Sequence, residues 1–412
     1  MATRSFRIVI GGFVTATLAT LAAQPLSAQT PHLVVDLRPG DDSGVPSIEA
    51  ASFGGKLYFS GDSDGGAADL WSYDGSGPPT VVPGTVGVEP TDLIVFQGAL
   101  YFQGGPYNPE DRELWRYDGV NPAHEVLDLH PGGSSLPYAF AVYGDRLCFQ
   151  ARDATIGAEL RCWDGVSPPA SYDIWSGVQS SGVEDLTVID GLLFFSGYPD
   201  AGDGRELGVF DGLNAPVMRS LVPGIVGGDP AGFTLVGGSV YFAAQDPFTP
   251  AFRRVWRGLP DFTAPGVEIQ GLDVQGGLTR YGSSVVVVGE SASSGEAKLH
   301  GWDGGALSVL QTSDTAWEAR DFVRIGSRLY FLAESETASY DLLRFDGAGV
   351  ERVLDGELTN YYLTPGLALW NGRLFFSAYQ QATGDELWTI EVDPVLFADG
   401  FESGDTSAWS LP

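Results

Sequence analysis

Two cysteines, four histidines and 53 acidic residues are the side chains of this chain with most to offer chemically. Cys148 and Cys162 flank the stretch QARDATIGAELR, which reads as a hairpin. Pairing about the centre of its turn sets the two cysteines opposite one another, as a cross-strand disulfide requires; the other reading is two buried thiols. His32, His124, His130 and His300 fall in strands and loops without metal-ligand spacing. There is no GxSxG nucleophile elbow and no HExxH helix. In SGDSDGG (60–66), Asp62 and Asp64 sit among glycines and offer hard oxygen ligands suited to Ca²⁺, or simply a solvated acidic turn. The stretch lacks the Ser-x-Asp-x-Gly spacing of a sialidase Asp box. Two carboxyl groups about 5–10 Å apart across a sugar would make a glycosidase, and the acidic composition leaves that chemistry open.

These residues must be positioned by a scaffold, and the chain states its scaffold by repetition. A glycine-led apolar strand recurs as GKLYFSG, GALYFQG, DRLCFQA, GLLFFSG, GSVYFAA, SSVVVVG, SRLYFLA and GRLFFSA. Its central residues are Tyr58, Tyr101, Cys148, Phe194, Tyr241, Val286, Tyr330 and Phe375, spaced by 43 to 47 residues. After most copies comes a second signature: DLWSYDG, ELWRYDG, ELRCWDG, ELGVFDG, KLHGWDG, DLLRFDG and finally ELWTIEV. Short apolar runs bounded by Gly, Pro, Asp and Ser indicate an all-β protein. Eight copies of about 45 residues predict a β-propeller of eight four-stranded blades. A Gly turn joins the two strands ahead of each signature, as in VVGGSVYF, and Asp-Gly closes the strand after it. Trp115 and Tyr117 alternate and so share a face, expected to pack between blades. HLVVDL near the start supplies what GRLFF and DELWTIEV lack at the end. With AFAVYG-type strands innermost, it closes the last blade as the outer strand; another strand phase would leave every blade contiguous.

Residues 1–28 read as a signal peptide. Arg4 and Arg7 precede an apolar run of 16 residues and a small-residue cleavage site after Ala28. The run is shorter than the roughly 20 residues a spanning helix needs, and no later segment is long and apolar enough. The expected product is secreted or periplasmic, with no membrane span after cleavage. Removing Arg4 and Arg7 moves the net charge from −31 to −33, a field that repels nucleic acid and anionic lipid. Residues 29–393 form the expected propeller. Residues 394–412 form a tail outside the repeat, read either as a sorting or processing tag or as a flexible end partly docked through Phe401 and Trp409.

The LYFS and ELW strands, the Asp-Gly turn and the DLHPGGSS loop resemble bacterial ELWxxDGT-repeat proteins over roughly residues 31–393. The match is strong at 98–119 and 371–388 and weak at 251–310. The Thr of that pattern is replaced by Ser76, Val120, Val166 and Leu213. The resemblance implies an exported repeat protein and no particular activity. A second likeness, to the docking repeat of eight-bladed quinoprotein dehydrogenases, rests on AYQQATGDELW (378–388). There Ala378, Thr383, Gly384 and Trp388 match, but Gln380 stands where Asp is expected.

With repetition explaining its commonest motifs and no catalytic signature in view, the sequence favours a monomeric, non-catalytic interaction scaffold without a cofactor. It would bind protein or glycan through loops on a propeller face. The alternative is a carbohydrate-active hydrolase or lyase with Asp or Glu at the channel mouth. Non-repeated carboxylates converging near the axis would favour the second.

Overall fold

The computed structural model describes residues 29–106, 111–224, 226–259, 266–291, 297–310, 319–334, 340–354, 362–364 and 366–392. The expected signal peptide and tail lie outside the described residues. The chain forms an eight-bladed, all-β propeller of four-stranded antiparallel blades. In blade 3 the strands, from the axis outward, are Tyr138–Tyr143, Arg146–Asp153, Gly157–Trp163 and Ala170–Tyr172. Blades 1 to 6 are separate sheets; blades 7 and 8 are joined by the short strand Tyr362–Leu363, which pairs with both. Among the described residues, no helix is long and apolar enough to cross a membrane.

The first strand phase is the one adopted. His32–Val35 pairs antiparallel with Gly384–Glu391 and completes blade 8 from the opposite end of the chain. The following segment is stitched to the same strand: Gly44 N and Val45 N donate to Asp385 O at 3.0 and 2.8 Å. Gly44 is required there by crowding, since a Cβ would lie 2.6 Å from a Glu386 carboxylate oxygen and 2.7 Å from Leu37 Cβ.

The second strand of each blade is covered on both faces by neighbouring blades, which is why it reads as an unbroken apolar run rather than an alternation. All six residues of Ala99–Gly104 are buried. The core is correspondingly divided into eight clusters, one for each gap between blades. Trp115 and Tyr117 both enter the gap facing blade 1, where Tyr117 meets Tyr58 with ring centroids 5.8 Å apart. Offset aromatic contacts of this kind add to the area they bury.

Each Asp-Gly pair is a turn held by its own aspartate. Asp118 Oδ1 accepts from Val120 N and Asn121 N at 2.9 and 2.8 Å, and Gly119 takes the left-handed φ of 87° that the turn needs. The aspartates at 74, 164, 211, 303 and 346 do the same.

Cys148 and Cys162 are register partners on adjacent strands of blade 3 and form a disulfide, with Cα atoms 4.0 Å apart. It is buried in the gap facing blade 4. A bridge closing a loop of this size is worth about 2–3 kcal/mol in chain entropy. The double variant C148A/C162A is therefore expected to melt several degrees lower by circular dichroism while keeping the same spectrum; an unchanged melting temperature would contradict this.

Candidate axial carboxylate site

The repeated glutamate of the ELW signature is structural. Glu113 accepts from Leu129 N at 3.2 Å and Ser135 N at 2.6 Å, and also from the Ser135 hydroxyl. Glu159 accepts from Ile174 N, Ser181 N and Ser181 Oγ, and Glu206 from Leu221 N and Ser220 Oγ. Glu386 accepts from Leu37 N, Arg38 N and Gly44 N at 3.1, 3.2 and 3.0 Å. Each thus gathers the loop that runs from an outer strand to the next innermost strand, satisfying donors that would otherwise be orphaned.

Burial raises the carboxyl pKa at all four positions, at Glu386 to about 7. A folded-state pKa above the unfolded one favours the folded protein fully below about pH 4.5, and that contribution is lost as pH rises through the folded value. The turn aspartates act in the opposite sense. Hydrogen bonds from Ser76, Asn121 and Val166 lower Asp74, Asp118 and Asp164, so their contribution is lost as pH falls below the usual aspartate range. Thermal stability is therefore expected to peak near pH 5. Melting curves from pH 3.5 to 9 test this, and a maximum at or above pH 8 would contradict it.

A second set of carboxylates, present in four of the eight blades, lies further in. Every innermost strand from blade 2 to blade 7 has a register shift near its start. Aligned on their partners in the second strand, one position of the eight blades is occupied by Glu49, Asp92, Ala139, Asp185, Gly232, Gly277, Asp321 and Gly366. Asp92, Ala139, Asp185 and Asp321 adopt left-handed backbone there, each with φ of 55°. That conformation costs a non-glycine residue about 1 kcal/mol or more. Bulges re-aim side chains, and Asp92, Asp185 and Asp321 therefore sit at one level of the propeller's axial wall, with Glu49 at the aligned position of blade 1.

They also tie neighbouring blades together. Asp92 N donates to Glu49 Oε2 at 2.7 Å, and Gly366 N to Asp321 Oδ2 at 2.8 Å. Burial pushes Glu49, Asp92 and Asp185 above their ordinary pKa values. At Glu49 the neighbouring Asp92 charge adds to the rise, while the Asp92 N–H and the Arg112 charge oppose it. Arg112 also opposes the rise at Asp92. Its guanidinium is fixed by Gln103 Oε1 at 2.6 Å, Glu89 Oε2 at 3.0 Å and Glu89 O at 2.5 Å. Arg205 on Glu184 (2.6 Å) and Arg253 on Asp229 (2.7 Å) hold the same relation near Asp185. Paired carboxylates of raised pKa, desolvated beside fixed cations, are the equipment of general acid and base chemistry.

Sequence reasoning did not single out Glu49, Asp92, Asp185 or Asp321. The signal was present: once innermost strands are aligned, TDL, EDL and RDF stand against AGF, GGL and PGL. The residues it did single out lie elsewhere. Asp62 is occupied by Asp64 N and Gly65 N at 2.9 Å each and by Arg38 at 3.4 Å, and Asp64 accepts from Gly66 N. Among the described residues, no group of three or more His, Cys, Asp or Glu side chains is placed to hold a metal ion. His300 is buried, its pKa lowered by that burial, with Nδ1 2.8 Å from Lys298 O.

No protein-family model matches the chain, and no curated protein matches it. Solved structures do. One of two prolyl endopeptidases analysed for the role of inter-domain dynamics in catalysis and specificity matches 84% of this chain over 56% of its own, at 12% identity and a TM-score of 0.54. A Mycobacterium tuberculosis puromycin-hydrolyzing peptidase matches 86% of this chain over 61% of its own, at 14% identity and a TM-score of 0.51. The propeller domain of the Trilobed protease from Pyrococcus furiosus matches at 11% identity, covering 73% of this chain and 94% of that one, with a TM-score of 0.48. The chain thus spans a little over half the length of the first two, and what it shares with them is the fold. The expectation of a non-catalytic interaction scaffold is corrected by these findings. The longer proteins it resembles in fold are peptidases, and its axial wall carries carboxylates in only four of the eight blades, which bears on the alternative. Repetition had hidden those acids, because the eye for a period passes over the positions that break it.

Proposed function

We propose that the protein is an exported hydrolase acting on glycosidic bonds at the acidic mouth of its propeller, with Glu49 as general acid and Asp92 as general base. One observation carries this reading: Glu49 and Asp92 are adjacent and raised in pKa by desolvation, and an acid is absent from the equivalent position of half the blades. In the reaction Glu49 gives its proton to the leaving glycosidic oxygen. Asp92 takes a proton from the attacking water, whose hydroxyl joins the anomeric carbon as the bond to the leaving oxygen breaks. Arg112 limits the rise in both pKa values.

Export is supported by the buried disulfide, which belongs to an oxidising compartment, together with the charged and apolar pattern of residues 1–28. The repeat itself is proposed to be of the ELWxxDGT kind, on the glutamate-gathered loops and aspartate-held turns that recur from blade to blade. The fit to peptidase propellers supports hydrolysis as the reaction class.

The test is release of reducing ends by the purified chain from a panel of neutral and acidic polysaccharides, with peptide substrates alongside. Release from one glycan class supports the reading. Peptide cleavage without glycan cleavage would overturn the substrate class, and inactivity of the folded chain on the whole panel would overturn the reading itself.

A further inference from the structure

A second site is built on the opposite end of the propeller, between blades 2 and 3. A cavity of about 720 Å³ opens beside the turn that follows the innermost strand of blade 2, whereas the axial carboxylates lie near the start of that strand. Its volume is that of a small-molecule site. Tyr101, Arg116, His124, Val126, Asp128 and Trp163 are among the residues that line it.

Their hydrogen-bonding capacity is unevenly used. Trp163 is 5% exposed, and its indole Nε1 has no hydrogen-bond acceptor in the protein. A buried donor left unpaired costs free energy that a ligand's acceptor would recover. The Tyr101 hydroxyl accepts from Arg116 Nε at 3.2 Å, which leaves its own proton to be donated. Arg116 Nη1 also lies 3.8 Å from Asp118 Oδ2, a pair about as exposed as the Arg257–Glu268 pair of blade 5. His124 Nδ1 faces Pro122 O at 3.2 Å, which leaves Nε2 for another partner. Donors therefore converge on one cavity, with Asp128 as an acceptor in the same wall.

The gap between blades 5 and 6 holds the same trio with a carboxylate of the fourth strand beside the arginine, and there too the tryptophan Nε1, of Trp302, has no acceptor in the protein. Arg257 corresponds to Arg116, Tyr241 to Tyr101 and Trp302 to Trp163. There Arg257 Nη1 lies 3.6 Å from Glu268, and its guanidinium sits over the Tyr241 ring at 6.0 Å. By strand register Glu268 corresponds to Val126. Blade 2 thus keeps the arginine, tyrosine and partner tryptophan and replaces the internal carboxylate with valine.

We propose that this cavity binds a sugar residue bearing a carboxylate, a uronic acid, whose carboxylate takes the place that Glu268 fills in blade 5. Arg116 and the Trp163 N–H receive the carboxylate, the aromatic rings pack against the sugar ring, and Asp128 accepts from its hydroxyls. The site is separate from the axial carboxylates, and its test reads binding rather than hydrolysis.

The experiment is calorimetric titration of the purified chain with glucuronate and galacturonate oligosaccharides, with the neutral oligosaccharides and benzoate as controls. Saturable binding of a uronate at least about tenfold tighter than its neutral counterpart is expected. Arg116→Gln and Val126→Glu should each weaken it by about tenfold or more, the second by returning an internal carboxylate to the arginine. Trp163→Phe, which keeps the ring but removes the donor, should weaken it severalfold. Melting curves establish that each variant is folded, and Arg116→Lys provides a milder replacement if Arg116→Gln is not. Equal affinity for neutral and acidic sugars, unchanged binding in the folded Arg116 and Val126 variants, benzoate binding without uronate binding, or no saturation with any uronate would each overturn the proposal.

Discussion

Glu386→Ala is expected to loosen the closure of the ring. Its carboxyl group receives Leu37 N, Arg38 N and Gly44 N, all from the segment that follows the chain's first strand. Truncation leaves the buried Leu37 N without an acceptor, while Gly44 N keeps Asp385 O. At 1–3 kcal/mol for one unsatisfied buried donor, the loss is about 1–3 kcal/mol, to which the lost bonds of Arg38 and Gly44 add. In a propeller the consequence is not only global. Blade 8 is the one blade assembled from both ends of the chain, so the segment 32–45 should become sensitive to limited proteolysis ahead of unfolding. Glu159→Ala is the control. It removes the equivalent carboxylate from blade 3, contiguous in sequence, and should lower the melting temperature comparably without exposing the first strand. Equal protease sensitivity of 32–45 in the two variants would contradict this role for Glu386.

The second large effect is on rate. Gln at position 49 and Asn at position 92 keep a carbonyl oxygen able to accept the backbone N–H of the next blade, so both variants are expected to fold. Asn also tolerates the left-handed backbone of Asp92. Neither can exchange a proton near neutral pH. Loss of a general acid or base lowers turnover by about 10²–10⁴. Since both carboxyls are raised by burial, the wild-type rate should follow a bell in pH with both limbs above the ordinary carboxylate range. Glu49→Gln should remove the alkaline limb, where the acid loses its proton, and Asp92→Asn the acidic one. Residual activity in either variant with an unaltered pH profile would place the chemistry elsewhere.

Much of the architecture was legible because a propeller repeats its instructions. The period around Tyr58, Tyr101 and Cys148 gave the number of blades, and the complementarity of HLVVDL with DELWTIEV gave the closure. The mirror relation of Cys148 and Cys162 about one hairpin gave the disulfide. The role of the repeated glutamate was not legible. Glu113 is fixed to Ser135 and Leu129 by a loop path that only the three-dimensional arrangement shows. The axial acids were missed for a different reason. Asp92 and Asp185 sit in short polar stretches ahead of apolar strands, where acids are common, and only the register shift that turns them onto the axial wall distinguishes them. The pocket between blades 2 and 3 depends on a single departure, valine at 126 where blade 5 has Glu268, between strands whose sequences are otherwise unremarkable.

The most direct measurement compares wild-type protein with the Glu49→Gln/Asp92→Asn double variant on neutral and acidic polysaccharides. Reducing ends and melting temperature are read on the same preparations. Release of reducing ends by the wild type, reduced at least about a hundredfold in a double variant that melts within a few degrees of it, is the expected result. Equal release by the two proteins, or none by a folded wild type, would contradict a hydrolase built on the axial carboxylates.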